Sequence, residues 1–272
     1  MIRRSRKPAE MAISEGELRA MTTDLEALHN DTFPEVQRNL DEFSANLARM
    51  SGQSMARRGF LMGIGGAAAI GALAACGSSS KGKSTSAASA APSSGSASSS
   101  GAASPYTGDL KVVALAAALE NLAVAAYKLT LTMAGAGKLG TVPPAIGTFV
   151  TTVMKQHSDH AAAWNAVLTK ANLPAVTGTP LTIASGQVSL LQAATSVPEV
   201  AKLALGLENA AADTYTFAAA NVTNTGGIMT AASIQPVETM HAAILSFVLG
   251  QYPVPLSFIG IDGAVKPSAL TV

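Results

Sequence analysis

Arginine disappears from this chain after Arg58: all eight arginines lie between Arg3 and Arg58. Other ionisable groups are scarce too. Beyond residue 107 the only glutamates are Glu120, Glu199, Glu208 and Glu238, and the only histidines are His157, His160 and His241. A region so poor in charge needs a reason for each charge it keeps, because a carboxylate inside an apolar helix is costly unless something pairs with it. The formal net charge is only +1, so nothing points to nucleic acid. The single cysteine, Cys76, excludes an intrachain disulfide. No stretch shows sustained strand alternation, and there is no glycine-rich phosphate loop. With 272 residues the chain allows one or two domains.

Residues 1–55 are polar and charged, with Leu18, Met21, Leu25, Leu28, Leu40, Phe43 and Leu47 at helical spacing. They read as one or two weakly amphipathic helices split near Phe33-Pro34, a solvated cytoplasmic extension, or as sequence upstream of a later start at Met50 or Met55. Arg57-Arg58-Gly59-Phe60-Leu61 opens segment 56–76 and leads into an apolar run ending at Ala75. The run is shorter than the roughly 20 residues a spanning helix needs. Its positive flank and its Gly/Ala content suit a signal h-region. The Arg57-Arg58 stretch resembles a twin-arginine export signal, with Ala56 and Met62 departing from its usual flanks. Leu73-Ala74-Ala75-Cys76-Gly77 resembles a bacterial lipobox. That resemblance implies passage through the twin-arginine export machinery, lipid on Cys76, and loss of everything before it. The expected location is the extracytoplasmic face of the membrane, in the cell envelope. Residues 77–105 are mostly Ser, Ala and Gly and read as a flexible linker with a reach of roughly 30 Å.

Residues 106–272 form the expected folded domain. Helices are predicted over 109–133, 144–170, 198–220 and 228–249, with a short one near 188–194 inside a long connection and Pro236 as a kink or start in the last. Asp109 is expected to cap the first. The class is all-α: a four-helix bundle with one long crossover. An internal repeat supports it. Leu119-Glu120-Asn121 recurs as Leu207-Glu208-Asn209, with Tyr127 and Tyr215 each seven residues after the glutamate. His157-Ser158-Asp159-His160-Ala161-Ala162 aligns with Glu238-Thr239-Met240-His241-Ala242-Ala243. The domain is two repeated helical hairpins.

Residues three apart on a helix share a face, so His157 with His160, and Glu238 with His241, can point inward together. With Glu120 and Glu208 they give six candidate metal ligands. On these residues the stretch 108–250 resembles the ferritin-like superfamily of di-iron carboxylate proteins. The resemblance implies Glu120 and Glu208 as ligands from the first and third helices, His160 from the second, and Glu238 and His241 from the fourth. It also marks a departure: His157 stands where the family has a glutamate that commonly bridges the two irons. The expected cofactor is iron, two ions or one, with manganese or zinc also compatible with carboxylate and imidazole ligands. Tyr127, Tyr215 and Gln156 are candidates for supporting hydrogen bonds, Gln156 also for an amide ligand. Asp159 is expected on the solvent side. Trp164 reads as core, and Asn121 and Asn209 as interhelical bonds.

Two functions compete. One is a membrane-anchored redox metalloprotein acting on oxygen or peroxide. The other is a non-catalytic binding or structural lipoprotein with a structural or vestigial site and an unidentified protein partner. An iron-storing cage fits poorly, because so few carboxylates offer no acidic surface for mineral growth.

Overall fold

A computed structural model describes residues 13–64, 104–256 and 258–272, with side chains only to residue 50 in the first stretch. The Arg57 and Arg58 side chains, Cys76 and the linker up to residue 103 lie outside the described residues. Two compact units divide the chain: Met1–Arg49 with Ser104–Val272, and Met50–Ala103. Of the second, the described residues hold only the end of the first helix.

The helices are α1 (Glu15–Ile64), α2 (Asp109–Gly135), α3 (Pro144–Lys170), α4 (Ala184–Ala193), α5 (Val197–Asn221) and α6 (Thr225–Val248). Among the described residues there is no strand, only an isolated antiparallel bridge from Leu181 to Leu270 that ties the tail to the crossover. α2 pairs with α3 and α5 with α6, and α4 rides in the crossover against α2 and α5. This is the expected bundle of two hairpins. Local chemistry sets the helix ends. Gly137, at φ 71°, takes the left-handed conformation that closes the turn after α2. Pro144 opens α3, where its missing N–H costs nothing. The Ser196 hydroxyl accepts from Glu199 N, and the Asn224 side chain accepts from Gly226 N. α6 runs unbroken through Pro236.

Asp109 corrects one expectation. Its carboxylate does not cap α2; it accepts from Thr223 N at 3.1 Å and Asn224 N at 3.0 Å, fastening the α5–α6 turn to the start of α2. α2 itself is long and apolar enough to cross a membrane, but most of it is buried inside the bundle around Glu120.

The first helix holds the larger surprise. α1 is one helix through Pro34, opened by a capping box in which Ser14 and Glu17 bond each other's backbone N–H. Its inward face is Leu18, Thr22, Leu25, His29, Phe33, Val36, Leu40, Phe43 and Leu47, always three or four residues apart. Leu18 and Leu25 join the apolar cluster of Phe149, Ile244 and Leu245. Val36, Leu40 and Phe43 join that of Leu115, Trp164 and Ile234. Five such side chains, each worth roughly 1.5–3 kcal/mol when fully buried, make α1 a fifth helix of the bundle domain where a solvated extension was expected. The approach is close. A Cβ on Gly226 would stand 2.3 Å from the Asn39 carbonyl oxygen, and one on Gly227 would stand 3.1 Å from the Phe43 ring.

Candidate metal centre

The bundle needs side chains of opposite sign to fill its middle, because α2, α3, α5 and α6 each bring an ionisable group there. Glu120, His157, His160, Glu208, Glu238 and His241 are all at most 2 % exposed. They form two overlapping quartets whose potential ligand atoms lie within 4.8 Å of one another: Glu120, His157, His160 and Glu238, then His157, Glu208, Glu238 and His241. His157 and Glu238, the pair that breaks the internal symmetry, are common to both.

His157 spans the halves. Its Nδ1 lies 2.7 Å from Glu120 Oε2, and its Nε2 lies 3.2 Å from Glu208 Oε1. His160 Nδ1 is 3.4 Å from both Glu120 Oε1 and Glu238 Oε1. His241 Nδ1 is 3.2 Å from Glu208 Oε2 and 3.5 Å from Glu238 Oε2. Glu238 is wholly buried, yet neither of its oxygens has a hydrogen-bond partner, and both nitrogens of His160 also lack one. Buried polar atoms are normally satisfied. The Glu238 oxygens and His160 Nδ1, among the potential ligand atoms that lie within 4.8 Å of one another, fit a bound cation.

The two tyrosines cross the molecule symmetrically. Tyr127 on α2 donates to Glu208 on α5, and Tyr215 on α5 donates to Glu120 on α2. Burial, then the adjacent glutamate, pushes both phenols well above their ordinary value, so they stay protonated donors. Trp164 is core, and it also donates from Nε1 to the Tyr215 oxygen at 3.0 Å. Gln156 is turned away from the quartets: its Oε1 faces His241 Nε2 at 2.8 Å, and its Nε2 donates to the Leu25 carbonyl of α1 at 3.4 Å. Asn121 bonds the Val176 carbonyl in the crossover, while Asn209 is exposed, so the repeat's asparagines part company. Asp159 is partly exposed, 2.5 Å from Lys155 Nζ.

Sequence reasoning passed over His29. It is 4 % exposed, stacks on Phe33 with centroids 4.9 Å apart, and lies against His160 with centroids 5.2 Å apart. Its Nε2 lies 3.5 Å from Asp159 Oδ2. Burial and then His160 push it down to about 4, so it is neutral at pH 7. Its place in the three-and-four spacing of α1's apolar residues was the available signal.

Without metal the imidazoles and carboxylates compensate one another. Burial works against charge on Glu120, Glu208 and the three imidazoles, but the opposite partners prevail. Glu120 is brought to about 2 by His160 and His157, and Glu208 lies well below its usual range. His160 is raised to about 9, His241 upward, and His157 well above its usual value. Raised imidazoles contribute stability that is full below their unfolded value of 6.5 and is lost as pH rises through about 9. Depressed carboxylates contribute stability that is present above 4.5 and is lost as pH falls through about 2. His29, held at about 4 against an unfolded 6.5, costs stability as pH falls below 6.5, so metal-free protein should melt highest near pH 6.5. Metal binding must displace imidazole protons, so the rise in Tm on adding metal should grow from pH 6.5 to 9. Melting curves with and without divalent metal across that range check it; a metal-induced shift that shrinks with pH would contradict it.

An apolar opening between α2, α4 and α5 reaches Glu120, Glu208 and His157, past Leu119, Ala123, Leu191, Leu203 and Leu207. No curated protein and no solved structure matches the chain significantly. The ferritin-like domain family matches residues 108–251, more than half the chain and all six clustered residues, and the chain belongs to that family.

Proposed function

We propose that this protein is a membrane-anchored, extracytoplasmic metalloprotein that binds iron, or manganese, in the bundle core and acts as an oxidoreductase toward oxygen or peroxide. The observation that carries the metal reading is Glu238: a wholly buried carboxylate without one hydrogen-bond donor, set between three imidazoles. Glu120 and His160 would hold one ion, Glu208 and His241 a second, with Glu238 between them and His157 available to either. Such ions would supply one-electron chemistry. The chain's own part is to fix that charge and keep water out. Tyr127 and Tyr215 each hold a proton at Oη beside an outer carboxylate, which restrains its orientation. The apolar approach past Leu191 and Leu203 favours a small uncharged substrate. Membrane attachment rests on the resemblances at Arg57-Arg58 and Cys76.

Two divalent ions, +4, against three carboxylates, −3, leave +1. One ion should therefore bind tightly and the second more weakly. The test is metal per chain in full-length protein from metal-supplemented cells, by elemental analysis, beside Glu208→Ala and His241→Ala. One tightly held ion, a second at higher concentration, and loss of one site in each variant are expected. The competing reading is a metal-free structural lipoprotein. It has its own support, since three imidazoles and three carboxylates already neutralise one another, with His157 bonded to two glutamates. No bound transition metal in the wild type would overturn ours and leave a structural or vestigial site.

A further inference from the structure

The two halves of the site treat their terminal histidines unequally. His241 Nε2 is met by the Gln156 amide, one turn away on α3. The 81-residue offset of the repeat that pairs His157 with Glu238 and His160 with His241 pairs Gln156 with Val237. Valine offers His160 no acceptor, and His160 Nε2 is an orphan in a residue with no exposure. His29 of α1 occupies the space beside it, its ring against the His160 ring, and His29, His160 and Val237 line one cleft between α1 and α6. α1 supports the other histidine as well, through the Leu25 carbonyl that accepts from Gln156.

We propose that α1 completes the metal centre and that His29 is the positioning residue for His160, standing in for the amide that Val237 lacks. The ring accepts from His160 Nε2–H once Nδ1 is engaged by metal, through one water in the shared cleft, since His160 Nε2 makes no direct bond. The proposal rests on the metal reading above. Because α1 precedes Cys76, this support belongs to the uncut chain: processing at Cys76 would remove His29 and the Leu25 carbonyl together, and both histidines of the anchored form would lose their outer support.

The test uses the full chain loaded with Co(II), whose visible d–d bands report ligand geometry. His29→Ala is expected to weaken one of the bound ions by about 10–100-fold, the usual cost of an outer-shell partner, and to change the cobalt spectrum. Adding Val237→Gln in the His29→Ala background restores by symmetry what His241 already has, and should recover most of the affinity. A purely packing role for His29 would not be rescued by an amide on α6. Affinity within twofold of wild type in His29→Ala, or no recovery with Val237→Gln, overturns the proposal. A second measurement needs no metal and does not depend on the ring's protonation: hydroxyl-radical footprinting of His160 in metal-free full chain. His160 should be protected in the wild type and reactive in His29→Ala, and also in Gly226→Val, which pushes α1 away without touching either histidine. If the wild type binds no metal but His160 becomes reactive in both variants, the metal reading fails and α1's cover over His160 stands. If reactivity is unchanged, that cover fails as well.

Discussion

Glu238→Ala is expected to weaken both ions by more than about 100-fold, the largest loss from any single ligand, and to cost the metal-free fold less than Glu120→Ala does. The asymmetry follows from what each carboxylate touches. Glu120 and Glu208 each receive a buried tyrosine hydroxyl and face an imidazole nitrogen. Truncating either leaves a buried phenol unsatisfied, at roughly 1–3 kcal/mol. Glu238 receives no hydrogen bond, and its nearest imidazole nitrogens stand at 3.4, 3.5 and 3.8 Å. Its removal takes away an unsatisfied desolvation cost along with the attraction it offers His157, so the empty protein loses less than on truncating Glu120, which also strands a phenol. With metal present only the loss remains, and it falls on both sites because Glu238 belongs to both quartets. Titration of Glu238→Ala and Glu120→Ala with Co(II), beside their metal-free melting temperatures, checks this. The expectation is a smaller fall in Tm for Glu238→Ala than for Glu120→Ala. Retained tight binding of either ion in Glu238→Ala would contradict the central placement.

Much of this was legible because the chain spends so few charges. In a region with four glutamates and three histidines, the repeat at Glu120 and Glu208 and the three-residue steps His157–His160 and Glu238–His241 left little choice of inward face. The start of α3 at Pro144 was legible, but the Ser196 and Asn224 caps were not singled out, and α6 starts at Thr225, three residues before the expected 228. What sequence did not disclose depended on a third element. Gln156 reads as a neighbour of His160 on its own helix, but it serves His241 across the bundle and α1 behind it. Asp109 reads as a cap, but the α5–α6 turn competes for its carboxylate. α1 looked solvated because polar residues outnumber its apolar ones; the narrow seam of residues three and four apart is enough to pack it. His29 was hidden by composition: one imidazole in a polar segment carries no signal until the seam places it against His160.

His157→Glu should tighten the weaker ion by about 10–100-fold while lowering the Tm of the metal-free protein. The substitution restores the carboxylate that the family pattern places there, and with it the fourth negative charge that balances two divalent ions. A unit charge at about 4 Å contributes on the order of 4 kcal/mol at the effective dielectric of such sites. Desolvation of the new carboxylate takes back part of that, which sets the expected range. The empty protein moves the other way. His157 now gives one ring nitrogen to Glu120 and the other to Glu208. A glutamate there would put a like charge among three carboxylates and leave only His160 and His241 to compensate four. Stability should then be recovered by metal, with a larger ligand-induced rise in Tm than in the wild type. Calorimetric titration for the second ion, with melting curves in chelator and in excess metal, separates the two effects. A second ion no tighter than in the wild type would show that charge balance does not set the stoichiometry. A raised metal-free Tm would show that His157 does not hold the empty site together. His157 would then be a compromise, holding the empty bundle through its two carboxylate contacts at the expense of a second ion's affinity.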